Sequence, residues 1–358
     1  MNSTMSIPRS LTSLVLTLGV LGACGGPSPD GGAPAPAVRR FLSLGTAPPG
    51  GAFFVVGGAL AEVAAANGPE GWQVTAEATQ GSRENIRRLI DGDLDFALSN
   101  AAITYFAVRG ETSWDRPYDV ASVMTLAPNV ALFLTPASSG IRTIADLRGK
   151  RVVLGPSGAG FEDFVTPILE AHGLGLGDLQ ALNAPQSSAV DLLTDASADA
   201  AFLGGAVPTA SIVQAASSMD LYFVPFDPEV RERLIADYPF FHPATIPAGT
   251  YRGQDADFVG LDVGSMHLIA AASADEETVY QFTRTIYENR RQVVERHAAG
   301  RAIQPQVVVR RTGTPFHPGA VRYYREIGIW PEDAGTEGSA GDAAAGQPAA
   351  GEPEAGEG

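Results

Sequence analysis

The sequence is poor in the residues that most metal and redox sites require. It contains one cysteine, Cys24, which cannot form an internal disulfide. Its only lysine is Lys150. The histidines show neither the His-x-Glu nor the His-Glu-x-x-His pattern, so the sequence predicts no metal site and no cofactor. Ordinary structural roles are expected for all five, which are His172, His242, His267, His297 and His317.

Positive charge and long apolar runs are also scarce. The formal net charge of −16 argues against a nucleic-acid partner, because neutralising phosphates needs a basic face. After the first 24 residues no apolar run approaches 18 residues, so no membrane span is predicted in the processed chain. The hydrophobic content of 45% is nevertheless enough for a sizeable core, and 358 residues exceed one ordinary domain.

The two ends of the chain differ from its middle. Residues 1–24 combine Arg9 with a short apolar run and end at Cys24, which resembles a bacterial lipoprotein signal peptide with Cys24 as the lipidated residue. The alternative is an ordinary secretory signal with an incidental cysteine. Residues 25–38 are rich in Gly, Pro and Ala and predict a flexible tether. Residues 331–358 are acidic without apolar periodicity and predict a disordered acidic tail.

The middle of the chain alternates strand and helix patterns. The turn GTAPPGG (45–51) leads into a helix from about Ala52, and a second helix begins with Ser82 as its predicted N-cap. The second half repeats this order around GPSGAG (155–160), and residues 277–297 have the periodicity of one long helix. The alternation predicts α/β layers over mainly parallel sheets, arranged in two lobes.

In such folds ligands bind at the carboxyl ends of strands, where turns meet helix N-termini. The glycine-rich turns should therefore share one functional rim. That predicted rim consists of Gly45–Gly51, Gly81–Asn85, Ser99-Asn100, Gly155–Phe161 and Gly204–Pro208.

The turn GPSGAG does not carry the known catalytic or phosphate patterns. It lacks the Lys and following hydroxyl of a phosphate-binding P-loop. A nucleophile elbow needs Gly-x-Ser-x-Gly, whereas residues 155–159 read G-P-S-G-A, so a serine hydrolase using Ser157 is only a remote alternative. Glu162 and Asp163 are explained as first-turn acids that stabilise the helix dipole. What remains is binding of an anionic or polar solute by backbone N–H groups.

Five motifs resemble solute receptors of TRAP transporters of the TAXI type. They are SLGTAPPGGAFFVVGGALA (43–61), TQGSREN (79–85), DLRGKRVVLGPSGAG (146–160), IPAGTY (246–251) and HPGAVRYYREIG (317–328). The resemblance implies a type II periplasmic-binding-protein fold with two α/β lobes, a hinge and an interlobe ligand cleft. Lobe 1 would comprise residues 39–129 and 258–330, and lobe 2 residues 130–257.

The resemblance also implies the function. The protein would be no enzyme but a lipid-anchored receptor on the periplasmic side of the bacterial envelope. It would capture a small carboxylate or amino-acid-like solute and deliver it to the membrane subunits of a TRAP permease. A periplasmic sensor or scaffold that docks to a signalling partner is the alternative.

Carried over by position, the resemblance implies a set of ligand-binding residues: Gly45, Thr46, Gly51, Gly81, Ser82, Asn85, Ser157, Gly158, Gly160 and Pro208. Phe53, Phe54, Ala159 and Phe161 belong to the same predicted ligand-binding set. They mark departures from the family, because Phe53-Phe54 replace two tyrosines and Ala159-Gly160-Phe161 replace Ser-Gly-Thr. These lost hydroxyls predict a less polar ligand, or one held differently, unless the positions simply pack in the core. Arg83 would either pair with a ligand carboxylate or be a solvated residue at a helix start.

Overall fold

The computed structural model describes residues 39–49 and 52–332. The predicted signal peptide, the lipidation site Cys24, the tether, the site residue Gly51 and the acidic tail from residue 333 onward lie outside the described residues. In the described ranges, none of the helices combines the length and apolarity needed to cross a bilayer.

Twelve strands and eleven α-helices make up the described chain. The strands are β1 (Arg40–Gly45), β2 (Trp72–Glu77), β3 (Phe96–Asn100), β4 (Val120–Thr125), β5 (Val130–Pro136), β6 (Arg151–Gly155), β7 (Gln180–Asn183), β8 (Ala200–Gly205), β9 (Leu221–Val224), β10 (Phe241–Ile246), β11 (Phe258–Val263) and β12 (Met266–Ala271). The helices are α1 (Ala52–Asn67), α2 (Ser82–Asp91), α3 (Ala101–Ala107), α4 (Glu162–Ala171), α5 (Gln186–Thr194), α6 (Ala210–Ser218), α7 (Pro228–Asp237), α8 (Glu276–Glu288), α9 (Arg290–Arg296), α10 (Pro305–Val308) and α11 (Pro318–Glu326).

The strands form two sheets, one for each lobe. The first has the order β2-β1-β3-β12-β4, and the second has the order β10-β11-β5-β8-β6-β7 with β9 paired to β5. Two short connections join the lobes, one between β4 and β5 and one between β11 and β12. At these crossings the backbone N–H of Val263 donates to the carbonyl oxygen of Asn129 at 2.9 Å, which holds the two connections side by side.

Two expectations about the sheets are wrong. In the second sheet only β6-β7 and β6-β8 are parallel pairs, because β5 and β10 run in the opposite direction to the other strands. The predicted lobe boundary at residue 258 is also displaced. Strand β11 pairs with β10 and β5 in the second sheet, so the chain returns to lobe 1 only after Val263.

Two helix predictions also need correction. Ser82 is the first residue of α2 and not its N-cap, a position that Gly81 occupies with φ 116°. The predicted long helix over 277–297 is two helices, α8 and α9, which are separated at Asn289. The backbone of Asn289 has φ −100° and ψ 18°, outside the ideal helical values, so the helical hydrogen-bond ladder is interrupted at this residue.

Two apolar cores support the lobes. One lies between α1, the first sheet, α8 and α11, where the rings of Phe96 and Phe282 are 4.0 Å apart. The other fills lobe 2 and extends into lobe 1 through α3. Phe106 on α3 contacts Phe240 of lobe 2, with ring centroids 5.5 Å apart. The lobes are therefore packed together through α3.

Candidate functional site

The first turn of lobe 1 is held by its own polar groups. The Thr46 side chain is buried, and its hydroxyl donates to the carbonyl oxygen of Glu77 at 2.8 Å. Asn85 is also buried and donates to the carbonyl oxygens of Thr46 and Leu98, each at 2.8 Å. These two predicted ligand residues therefore anchor the turn, and their side-chain donors are already satisfied.

Gly45 serves the same packing. A Cβ at this position would lie 2.5 Å from Leu94 Cδ1 and 2.7 Å from Asn85 Oδ1. Contacts this short do not occur between real side chains, so only glycine lets Asn85 pass beneath the turn. Gly45 belongs to the predicted rim, but the structure explains the need for glycine at this position by its close packing against Asn85.

Gly81 and Ser82 start α2 at the interlobe surface. The N–H of Gly81 donates to Thr79 Oγ1 at 3.1 Å, and the Ser82 hydroxyl accepts from the N–H of Asn100 at 3.0 Å. Across the interface, a Cβ on Gly81 would lie 3.9 Å from Ala159 Cβ. The start of α2 thus meets the glycine-rich loop of lobe 2.

The loop of residues 155–161 presents two different faces. Ser157 and Gly158 are exposed, whereas Ala159 and Gly160 are buried. A Cβ on Gly160 would lie 2.9 Å from Ile103 Cδ1 of lobe 1. Only Ala159 and Gly160 therefore face lobe 1. In the described residues no histidine or carboxylate contacts the Ser157 hydroxyl by a hydrogen bond, which gives the hydrolase alternative no support.

The three phenylalanines at the helix starts, Phe53, Phe54 and Phe161, do not all pack in the same way. Phe53 packs against the core of lobe 1, while the half-buried Phe54 belongs to neither core. Phe161 packs against the core of lobe 2, where its ring lies 5.1 Å from that of Phe164 and covers Gly155. Phe53 and Phe161 therefore replace hydroxyl-bearing residues at packing positions, and Phe54 is the aromatic ring left for other contacts.

Backbone donors remain unused at both helix starts. Asp163 N–H donates to Gly160 O at 3.1 Å, but the N–H groups of Gly160, Phe161 and Glu162 have no acceptor within the described chain. At the start of α2 the same holds for Ser82 and the next two residues. Such N–H groups, at the positive ends of two helices, suit an anion.

Pro208, which the resemblance implies as a residue of the opposite wall, is exposed in the turn after β8. This turn is held from two sides. Gln186 donates to the carbonyl oxygen of Gly204 at 2.8 Å, and the Tyr251 hydroxyl accepts from the N–H of Thr209 at 2.8 Å. Neither Gln186 nor Tyr251 was among the predicted site residues, although Tyr251 ends the IPAGTY motif.

Arg83 and Asp163 form an ion pair between the lobes, which the sequence did not predict. Arg83 Nη2 lies 3.0 Å from Asp163 Oδ1, and the two side chains are 16% and 1% exposed. The expectation that Arg83 is solvated is therefore wrong. Burial raises the pKa of Asp163 above its ordinary value, and the nearby Arg83 guanidinium opposes this effect.

Other buried titratable groups lie in structural positions. His267 Nε2 is 2.8 Å from Thr104 Oγ1 inside lobe 1, and burial lowers its pKa to about 3. Asp262 lies at the hinge, where it accepts from the N–H of Asn129 at 3.0 Å and from the Ser265 hydroxyl. Burial raises the pKa of Asp262 to about 6. Over the described ranges, no group of three His, Cys, Asp or Glu side chains is arranged to hold a metal ion.

One further recess lies outside the interlobe region. It is on the surface of lobe 1, beside α8 and α11, and is lined by Glu276, Phe316, Pro318, Val321, Arg322 and Arg325. Arg322 donates to Glu276 at 3.2 Å and also pairs with Glu277, so its charge is already balanced. None of the predicted site residues lines this recess, and the interlobe surface remains the better candidate for a solute site.

Comparison with known proteins identifies the fold. A family model described as the NMT1-like family matches residues 44–328. PhnD1 from Prochlorococcus marinus (MIT 9301), solved in complex with methylphosphonate, is similar with a TM-score of 0.51 and 11% identity over 80% of this chain and 95% of that one. A protein from Bordetella bronchiseptica RB50 gives a TM-score of 0.50 and 12% identity over 82% and 91%.

The alkanesulfonate-binding protein SsuA from Xanthomonas axonopodis pv. citri, bound to MOPS, is similar with a TM-score of 0.43 and 16% identity over 82% of this chain and 86% of that one. At such identities the comparisons concern the fold alone. The two α/β lobes have the type II periplasmic-binding-protein fold, which confirms the predicted fold class.

Proposed function

The chain belongs to the NMT1-like family, and on this basis we propose that it is an extracytoplasmic solute receptor. It binds a small anionic solute between its lobes and delivers that solute to a TRAP-type permease. It has no catalytic step. The resemblance of five motifs to TAXI receptors supports the choice of permease, and the lipoprotein-like signal supports anchoring through Cys24 on the periplasmic side of the envelope.

One observation carries the binding proposal. The loop of residues 155–161 in lobe 2 meets the start of α2 in lobe 1, and backbone N–H groups on both sides have no acceptor in the described chain. An anionic group placed between them would accept hydrogen bonds from both lobes at once. Such a solute would stabilise the closed arrangement because only that arrangement brings the two sets of donors together.

The side chains at this interface indicate an anion with an apolar body. Ala159 faces Gly81 across the interface and offers no hydroxyl. Phe54 is half-buried outside both cores, so its ring is free of core packing and is our candidate for contact with such a body. The substitutions at Phe53 and Phe161 act on packing instead. We therefore assign the altered ligand preference to Phe54 and Ala159.

Isothermal titration calorimetry against a panel of small carboxylates, sulfonates, phosphonates and amino acids tests this function. The protein should be purified without refolding and dialysed to remove bound solute. We expect one class of anion to bind with a negative heat-capacity change, accompanied by a smaller radius of gyration in small-angle scattering. Absence of binding across the panel, with no compaction, would contradict it.

The variant Ala159→Ser tests whether Ala159 sets the preference of the site for less polar anions. It adds one hydroxyl at the interlobe face, so the affinity for more polar anions should rise relative to that for apolar ones. Ser157→Ala is the matched control, because Ser157 is exposed in the same loop and should leave the preference unchanged. Equal effects of the two variants would count against an interlobe site.

A further inference from the structure

We propose that Asp163 is the closure residue of this receptor. Its carboxylate belongs to lobe 2 and is bound by a pocket of four side-chain donors on lobe 1. This contact sets the balance between open and closed lobes, and thereby the affinity for the solute. The consequence for affinity rests on the proposed function, whereas the contact itself is a property of the fold.

The geometry is that of a complete carboxylate-binding site. Asp163 lies in the first turn of α4 and is 2% exposed. Every side-chain donor to it comes from lobe 1. Oδ1 accepts from Arg83 Nη2, Thr112 Oγ1 and Ser113 Oγ, each at 3.0 Å, and Oδ2 accepts from Trp114 Nε1 at 3.2 Å.

Two segments of lobe 1 supply these donors. Arg83 is in the first turn of α2, and the other three follow one another in the loop after α3. Thr112 has a φ of 58°, an uncommon conformation for a residue with a branched Cβ. Adjacent Thr112 and Ser113 hydroxyls thereby converge on one carboxylate oxygen. A strained backbone at this point fits a built site better than an incidental surface contact.

The indole is fixed by its own neighbours. The guanidinium carbons of Arg83 and Arg87 each lie 5.7 Å from the centroid of the Trp114 ring, and the Tyr118 ring packs at 5.0 Å. Trp114 is 5% exposed. Its N–H is therefore held on Asp163 by packing and by cation–π attraction, and it does not need to reorient when the lobes close.

This arrangement changes the role of Arg83. Its charge is matched by Asp163 in the closed state, so no solute carboxylate is needed to neutralise it. Its Nε is buried without a partner, and a Cβ on Gly160 would lie 3.3 Å from it. The solute's anionic group is then held by backbone N–H groups, while the protein's own carboxylate holds the lobes together.

Opening the lobes would separate Asp163 from all four donors. Removing the Asp163 charge while Arg83 stays buried leaves an unpaired cation in the closed state. Truncation of one partner in such a desolvated pair commonly shifts an equilibrium by about 30-fold or more. We therefore expect Asp163→Asn to lower the ratio of closed to open molecules by at least about 10-fold, since Asn still accepts one of the bonds.

Pulsed electron paramagnetic resonance on the solute-free protein tests this inference. Spin labels are attached at Ala65→Cys in lobe 1 and Val213→Cys in lobe 2, both exposed positions, in the mature chain carrying Cys24→Ser. Glu162→Gln is the matched control. It removes one negative charge from the same first turn of α4, so the helix dipole is affected equally, but Glu162 makes no bond to lobe 1.

We expect Asp163→Asn to broaden the interlobe distance distribution and to shift it to longer distances, while Glu162→Gln retains the distribution of the parent protein. Trp114→Phe keeps an aromatic ring and removes one donor to Asp163. Its interlobe distances should lie between those of the parent protein and those of Asp163→Asn, and it replaces Asp163→Asn in the test if that variant fails to fold. Identical distributions for all variants would overturn the closure role. The proposed function is tested separately by the calorimetric panel. If a solute binds but the distance distributions of the variants do not change, only this inference is refuted. If the distributions shift but no solute of the panel binds, only the proposed function is refuted.

Discussion

Gly160→Ala, compared with Gly158→Ala, isolates the contact between the lobes from the strain of the loop. Both glycines have positive φ, 93° at Gly160 and 76° at Gly158, so a Cβ strains the backbone at each by about 1–2 kcal/mol. The space around them differs. A Cβ on Gly158 meets nothing within 4 Å, whereas one on Gly160 would lie 2.9 Å from Ile103 Cδ1 and 3.2 Å from Arg83 Cγ.

The additional cost at Gly160 is therefore steric and exists only when the lobes are closed. Overpacking by one methyl group costs about 1–3 kcal/mol. If that cost falls on the closed state alone, the apparent affinity for the bound solute drops by about 5- to 150-fold. Gly158→Ala should keep the parent affinity, and the two variants should lose similar amounts of thermal stability.

Calorimetric titration with the tightest-binding solute of the panel, together with thermal unfolding of both variants, measures these quantities. Equal affinities for the two variants would refute the claim that Gly160 lies at the closing surface. A large loss of thermal stability confined to Gly160→Ala would also refute it, because the contact would then be part of a permanently packed core.

Three further predictions concern stability and specificity. Gly45→Ala should lower the free energy of unfolding by about 1–3 kcal/mol in denaturant titrations, because its Cβ would collide with Leu94 and Asn85. Phe161→Thr should destabilise lobe 2 by about 1–3 kcal/mol without a gain in affinity for polar solutes, since the half-buried ring packs against the core. Folding lowers the pKa of His267 from 6.5 to about 3, so the unfolded state takes up a proton first as the pH falls. The free energy of unfolding should therefore decrease from pH 6.5 downward, and His267→Gln should reduce that slope in urea titrations at several pH values.

Sequence reasoning was most successful where a local pattern determines the structure. The glycine-rich turn, the start of α1 at Ala52 and the alternation of strands and helices follow from hydrophobic periodicity and helix signals. The assignment of the two lobes to the type II periplasmic-binding-protein fold required the resemblance of the five motifs in addition. The extent of β11 was not predictable in this way, because an apolar strand next to a hinge fits either sheet equally well.

The interlobe ion pair shows where sequence reasoning stops. Arg83 and Asp163 are 80 residues apart, and each has a sufficient local explanation at a helix start. Their pairing depends on how two lobes meet, which no local pattern encodes. The phenylalanine substitutions show the same limit. Phe53 and Phe54 are adjacent, yet only the rotation of α1 on its sheet decides which of them packs against the core.

The central claim is that an anionic solute is held between the lobes by backbone N–H groups. A crystal structure of the protein purified without refolding, and soaked with the best solute of the calorimetric panel, tests it most directly. We expect density for the solute between residues 155–161 and the start of α2, with its anionic group within hydrogen-bond distance of the Gly160 and Phe161 N–H groups. A solute bound elsewhere, such as in the recess beside α8 and α11, would contradict the account.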